Sequence, residues 1–245
     1  MIGAAPGDGG RESGVQQDTV ILFDLDGTLV DPAGSITGGI AASLQLHGLP
    51  VPAPEQLHTL VGPPLREGLR SLGGVTEDNL PAIIRDYRDG YRRHGMAASS
   101  VYPGVRQALD ELRAEHRLVV ATSKPQSLAR QLLRTQDLER YFTAVCGSDD
   151  DETAPVPEHG TKVQAMAEAL AAVGHPGRAV MVGDRHFDLD GAAHHRIPGI
   201  GVLWGFGSRA ELTRAGATSL CEDPAGLAER CRDLLRYGRR DRPAL

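Results

Sequence analysis

Short uninterrupted apolar runs, each closing on polar residues, narrow what this 245-residue chain can fold into more than any other feature. Thr19 to Phe23 reads TVILF, Leu118 to Ala121 LVVA and Ala179 to Val182 AVMV; Ala144 to Cys146 and Ile200 to Leu203 are similar. Apolar, β-branched runs without alternation fit strands buried on both faces of a parallel sheet. Between them lie helical patterns over Val105 to Glu115, Ser127 to Gln136, Lys162 to Val173 and Leu227 to Tyr237. This alternation predicts an α/β fold built on a doubly wound parallel sheet with right-handed crossovers. Ligands of such sheets sit beyond the carboxyl ends of the strands.

One stretch breaks the rhythm. From Pro32 to Val101 the chain shows amphipathic patterns (Ile36 to His47, Leu65 to Leu72, Leu80 to His94), Pro and Gly punctuation, and no convincing strand. The expected organisation is a tail over 1–17, an α/β core over 18–31 and 102–240, and a small α-helical domain over 32–101 inserted after the first strand. The tail is polar and glycine-rich, with no apolar stretch of the signal-peptide kind, and reads as disordered. No run approaches the roughly 20 apolar residues that span a bilayer. A net charge of -6 disfavours nucleic acid as a partner. Three widely spaced cysteines support neither a disulfide framework nor a zinc site, and a cytoplasmic home follows. Oligomeric state is not legible.

The strand ends carry the chemistry. The first closes on Asp24-Leu25-Asp26-Gly27-Thr28, the next on Thr122-Ser123-Lys124, and a later one on Gly183-Asp184-Arg185 with Asp188 following. Lys162 opens the helix before that last strand. Carboxylates crowded at one sheet edge are costly unless something positive holds them, and oxygen ligands with a lysine suit a hard cation such as Mg2+. Of the 26 basic residues only Lys124 and Lys162 are lysines, so a compact ammonium is retained at just two places, both near these strand ends. Taken singly, each motif has a plainer reading: an Asx turn for DxDGT, a helix cap for Thr122 and Ser123, a surface lysine for Lys162. Their order and shared edge argue against separate accidents.

Phe23-Asp24-Leu25-Asp26-Gly27-Thr28-Leu29-Val30-Asp31 resembles the first signature of the haloacid dehalogenase superfamily. Thr122 resembles its second motif, Lys162 its third, and Gly183-Asp184-Arg185-His186-Phe187-Asp188 its fourth. Tyr102-Pro103-Gly104-Val105, Gly147-Ser148-Asp149 and Val202-Leu203-Trp204-Gly205-Phe206-Gly207 are similar to the phosphoglycolate-phosphatase-like branch. The resemblance implies a phosphatase acting on a small phosphomonoester. Asp24 would be the nucleophile that forms an aspartyl-phosphate, and Asp26 the general acid and base. Gly27, Thr122 and the Ser123 amide would bind phosphoryl oxygens, with Lys124 beside them, and Lys162 would offset negative charge. Mg2+ would be held by Asp24, the Asp26 carbonyl and Asp184, with Asp188 supporting. Lys124 as the third-motif lysine is the alternative assignment.

Rival readings remain. Asp26 argues against a dehalogenase, because a leaving halide needs no proton and a leaving alkoxide does. The insert has no lysine, which argues against Schiff-base chemistry there. A β-phosphoglucomutase-like mutase would share all the motifs, and a catalytically silent binding module would keep the fold. The substrate, a nucleotide or sugar phosphate among the options, is expected to be chosen by the insert, with Arg66 either its anion contact or a solvent-facing arginine on an amphipathic helix. Tyr87, Arg88 and Tyr91 share a helical pattern in which one or both tyrosines are core. The acidic, Pro-rich 149–161 segment takes an unassigned path near the site.

Overall fold

A computed structural model describes residues 18–151 and 156–237. The tail expected over 1–17 lies outside them. Strand β1 (Thr19–Phe23) is followed by β2 (Val30–Asp31), and helices α1 (Ser35–Leu46), α2 (Pro54–Thr59), α3 (Leu65–Arg70), α4 (Leu80–Gly90) and α5 (Met96–Ala98) come next. Then come β3 (Ser100–Val101), α6 (Val105–Arg113), β4 (Arg117–Pro125), α7 (Gln126–Thr135), β5 (Ala144–Ser148) and α8 (Thr161–Ala172). The chain continues through β6 (Arg178–Gly183), α9 (His186–His194), β7 (Gly199–Val202), α10 (Arg209–Arg214), β8 (Ser219–Cys221) and α11 (Leu227–Tyr237).

Six strands form one parallel sheet in the order β5-β4-β1-β6-β7-β8. The doubly wound α/β fold expected from the apolar runs is the one observed. β1 is central, paired with β4 and β6, and all five of its residues are buried. Its side chains divide by period two. Ile21 and Phe23 enter a core shared with Leu109 and Leu112 of α6, Leu132 of α7 and Cys231 of α11. Val20 and Leu22 enter the opposite core with Met166 and Ala169 of α8 and Ala192 of α9. Burial on both faces is why β1 is apolar from Val20 to Phe23; its one polar residue, Thr19, lies 2.8 Å through its hydroxyl from His116 Nδ1.

Between β2 and β3 the chain is helical, and α4 buries Leu80, Ile83, Ile84 and Tyr87, the spacing of one helix face. A π-helical turn, Tyr91–Gly95, prolongs α4. The expectation of no strand over 32–101 needs correction. Ser100–Val101 pairs antiparallel with Val30–Asp31 and makes a two-stranded ribbon at the root of the insert. A two-residue strand is too short to show alternation, so no sequence pattern marked it. β8 was likewise unmarked, because Ser219-Leu220-Cys221 lacks a continuous apolar run. Among the described residues no helix is long and apolar enough to cross a membrane.

Candidate active site

The sheet brings Asp24, Asp184 and Asp188 together. One carboxylate oxygen from each lies within 4.8 Å of the others, and all three residues are buried. Asp24 follows β1 directly, its N–H still donating to the Val182 carbonyl of β6 at 2.9 Å. Asp184 follows β6, and Asp188 lies in the first turn of α9, where its Oδ2 accepts from the Arg185 N–H at 3.0 Å. Two neighbouring parallel strands therefore deliver carboxylates to the same edge.

Lys162, in the first turn of α8, answers this charge. Its Nζ donates to Asp24 Oδ1 at 2.6 Å and to the Ala121 carbonyl at 3.2 Å, and pairs with Asp188 Oδ1 at 2.8 Å. Burial works against the ammonium, but Asp188 and Asp24 outweigh it and hold Lys162 above its usual range. One ammonium does not neutralise three acids. Burial, then the Asp188 and Asp24 charges, push Asp184 well above the usual carboxylate range, although the Phe206 N–H (2.8 Å) and the Thr28 hydroxyl (3.1 Å) both donate to it. Burial also pushes Asp188 up to about 6 despite Lys162. A buried all-oxygen set held short of full ionisation fits a hard divalent cation, whose charge would hold the carboxylates ionised.

The other expected residues divide into those that meet this cluster and those that do not. Asp26 turns away from it: Oδ2 accepts from Lys124 Nζ at 2.7 Å, and Oδ1 is buried with no hydrogen-bond partner among the described residues. Lys124 also lies 4.3 Å from the centre of the Tyr91 ring. Burial opposes the Lys124 charge, and Asp26 with the two tyrosines more than restores it. Gly27 has φ 87, and a side chain there would meet Asp184 Oδ2 at 2.4 Å, so glycine is required by both conformation and space. Thr122 and Ser123 are buried at the end of β4, and Thr122 Oγ1 accepts from the Lys124 N–H at 3.3 Å.

A cavity of about 430 Å³ opens over these groups. Asp24, Asp26, Thr122, Ser123 and Lys124 line it from the core, and Leu60, Pro64, Arg66, Ile84, Tyr87 and Tyr91 from the helical insert. Arg66 thus reaches the cavity, while its Nη2 also donates to Glu77 at 3.4 Å. Both tyrosines are buried and stack 6.0 Å apart, so the core reading of them holds and yet both face the cavity. Asp149, Asp151, Val156 and Pro157 of the acidic segment also line it.

Several participants were not foreseen. Phe206 and Thr28 hold Asp184, and Trp204 Nε1 donates to the Thr28 carbonyl at 3.0 Å. The Trp204 to Gly207 run stands out in the sequence only by its resemblance, and no side chain in it signals that the Phe206 N–H donates to Asp184. Arg185 bridges core and insert: its Nε donates to Glu211 at 2.9 Å and its Nη1 to the Val61 carbonyl.

A parallel sheet of this order, with acids at the ends of β1 and β6 and a lysine from α8, defines a class, and comparison with known proteins names it. The model of the haloacid dehalogenase-like hydrolase family matches residues 21–202. The chain belongs to the haloacid dehalogenase-like hydrolase family. Among its relatives is the tyrosine-protein kinase PtkA of Mycobacterium tuberculosis, 39% identical over 212 residues, 86% of this chain and 70% of the relative. A 5'-nucleotidase of Pseudomonas aeruginosa is 36% identical over 210 residues, 85% of this chain and 93% of the relative. The crystal structure of a predicted phosphatase from Clostridium acetobutylicum matches with a TM-score of 0.79 at 34% identity, covering 88% of this chain and 99% of that one.

Proposed function

We propose that this hydrolase is a Mg2+-dependent phosphatase that removes phosphate from a small-molecule phosphomonoester through a phosphorylated Asp24. The observation that carries the reading is the Asp24–Lys162–Asp188 arrangement, in which an ammonium sits 2.6 Å from one oxygen of a buried carboxylate at the floor of a cavity. A carboxylate makes an acyl phosphate reactive enough to be hydrolysed in a second step. Asp24 attacks phosphorus, the ester oxygen leaves, and Asp26 supplies its proton. Asp26 then takes a proton from the water that releases phosphate. Its Oδ1 suits this exchange, since Oδ2 is engaged by Lys124.

Gly27, Thr122 and Ser123 would receive the phosphoryl oxygens, and Lys162 would offset the charge gathered around them. Asp24, Asp184 and the Asp26 carbonyl would hold Mg2+, with Asp188 fixing Lys162 and the turn after Asp184. When bound, the ion neutralises charge on the phosphoryl group and the carboxylates. The helical insert is read as a cap that encloses the ester, and Arg66 as one of its polar contacts. The setting inferred is the cytoplasm, with which three buried, unpaired cysteines agree.

Phosphate release from a panel of phosphometabolites, with and without Mg2+, tests the proposal. Mg2+-dependent release supports it, and no release from any ester contradicts it. A second reading comes from the relative named as a tyrosine kinase, since an aspartyl-phosphate can pass its phosphoryl group to an acceptor other than water. Incubation with a nucleoside triphosphate and a tyrosine-containing peptide, read as labelled peptide against free phosphate, separates the two. A mutase would instead convert a sugar 1-phosphate without releasing phosphate.

A further inference from the structure

We propose that the cavity selects phosphomonoesters whose leaving group presents a ring-sized apolar face, in preference to small polar or anionic esters; this rests on the phosphatase reading above. Its volume, about 430 Å³, lies in the range of pockets that enclose sizeable organic ligands, roughly 300–1,000 Å³. The catalytic groups occupy one end. Beyond them the insert supplies Leu60, Val61, Pro63, Pro64, Leu65 and Ile84 to the wall. A two-carbon leaving group would leave this apolar surface against water.

Two further observations point the same way. Among the described residues only Leu46, Val51 and Val156 are large apolar side chains left broadly exposed, and of these only Val156, 49% exposed, lines the cavity. A ligand with an apolar face would cover it. Among the described residues, the charges in the lining away from the phosphate end are Arg66 and Arg88 against Asp149, Asp151 and Glu168. Arg66 already pairs with Glu77. A carboxylate or second phosphate on the leaving group therefore meets more acid than base, whereas a neutral ring meets no such opposition.

The expected size follows from area. Burying roughly 100 Å² of apolar surface at about 25 cal/mol per Å² corresponds to roughly 70-fold in kcat/KM. The test uses the full chain with Mg2+ and a series of primary phosphate esters: methyl, butyl, benzyl and phenylethyl phosphate, with phosphoglycolate alongside. Their alcohols have similar basicity, so the series reads binding rather than leaving-group chemistry. The expected result is a rise of at least about tenfold from methyl to phenylethyl, with phosphoglycolate near the bottom. Val156→Asp at the exposed rim and Leu65→Ser in the wall should each lower the phenylethyl-to-methyl ratio. A flat or falling series, or a ratio untouched by both variants, overturns the inference and leaves the phosphatase reading intact. No phosphate from any ester overturns that reading, and this one with it.

Discussion

The Lys124 ammonium lies 2.7 Å from Asp26 Oδ2 and 4.3 Å from the centre of the Tyr91 ring, so a core lysine joins the inferred proton-transfer acid to the helical insert. Lys124 is the penultimate residue of β4, just after Thr122 and Ser123, whereas Tyr91 opens the π-helical turn that prolongs α4. Such turns are found frequently at functional sites. Here the Tyr91 ring covers an ion pair whose members are only 8% and 12% exposed.

Replacing Lys124 by Met should therefore do more than remove a surface charge. It leaves Asp26 buried without its cation, which costs about 3 kcal/mol in stability by analogy with broken buried pairs. Activity should fall at least about tenfold, mostly in kcat, because Asp26 loses the group that fixes its position. Thermal melts and phosphate-release kinetics check both, and wild-type kcat in this variant would remove Lys124 from the account.

Lys162→Arg keeps the charge and should still fail. The Lys162 ammonium meets Asp24, Asp188 and the Ala121 carbonyl within 3.2 Å, a compact arrangement that a planar fork does not reproduce. A loss of about 100-fold or more in kcat is expected, with the circular dichroism spectrum retained. Equal activity in the two proteins would show that charge alone matters there.

Gly27→Ala tests the packing around Asp184. The added methyl would sit 2.4 Å from Asp184 Oδ2 and 2.8 Å from the Phe206 ring, on a backbone with φ 87. Stability should drop by about 1–3 kcal/mol from strain alone. Mg2+ affinity, read by titration calorimetry, should fall as well, because Asp184 is displaced. Unchanged affinity would place Asp184 outside the metal site.

The pH dependence of metal binding follows from Asp184 and Asp188, both raised in the fold by burial. Unfolded carboxylates titrate near about 4. Without a cation, the stability these protons confer is full below about pH 4 and is lost as the pH rises through the folded value, about 6 for Asp188. A divalent cation favours the ionised carboxylates and opposes that loss. The rise in melting temperature on adding about 5 mM Mg2+ should be larger at about pH 7.5 than at about pH 5. A rise that is equal or larger at the lower pH contradicts the proposed ligand set.

The sequence carried the fold because the middles of β1, β4 and β6 (Val20 to Phe23, Leu118 to Ala121, Ala179 to Val182) are buried on both faces, which makes each a conspicuous apolar run. It carried the acids and Lys162 because each stands at the end of such a run or the start of a helix, where a position in sequence translates into a place on the sheet edge. What it could not carry were partnerships between segments far apart in the chain. Lys124 and Asp26 are 98 residues apart, and nothing local shows that their side chains meet. Phe206 holds Asp184 with a backbone N–H, a group every residue but proline has, so its identity gives no sign of the contact. The β2–β3 ribbon and β8 are short and mostly not fully buried, so neither makes a continuous apolar run.

The most direct measurement is phosphate release by Asp24→Asn with Mg2+ present, alongside its melting curve and that of the parent chain. A folded protein with no turnover above background is expected, since the amide oxygen neither attacks phosphorus effectively nor carries the charge that Lys162 meets at 2.6 Å. Phosphate released by the folded variant at a substantial fraction of the parent rate would contradict Asp24 as the nucleophile.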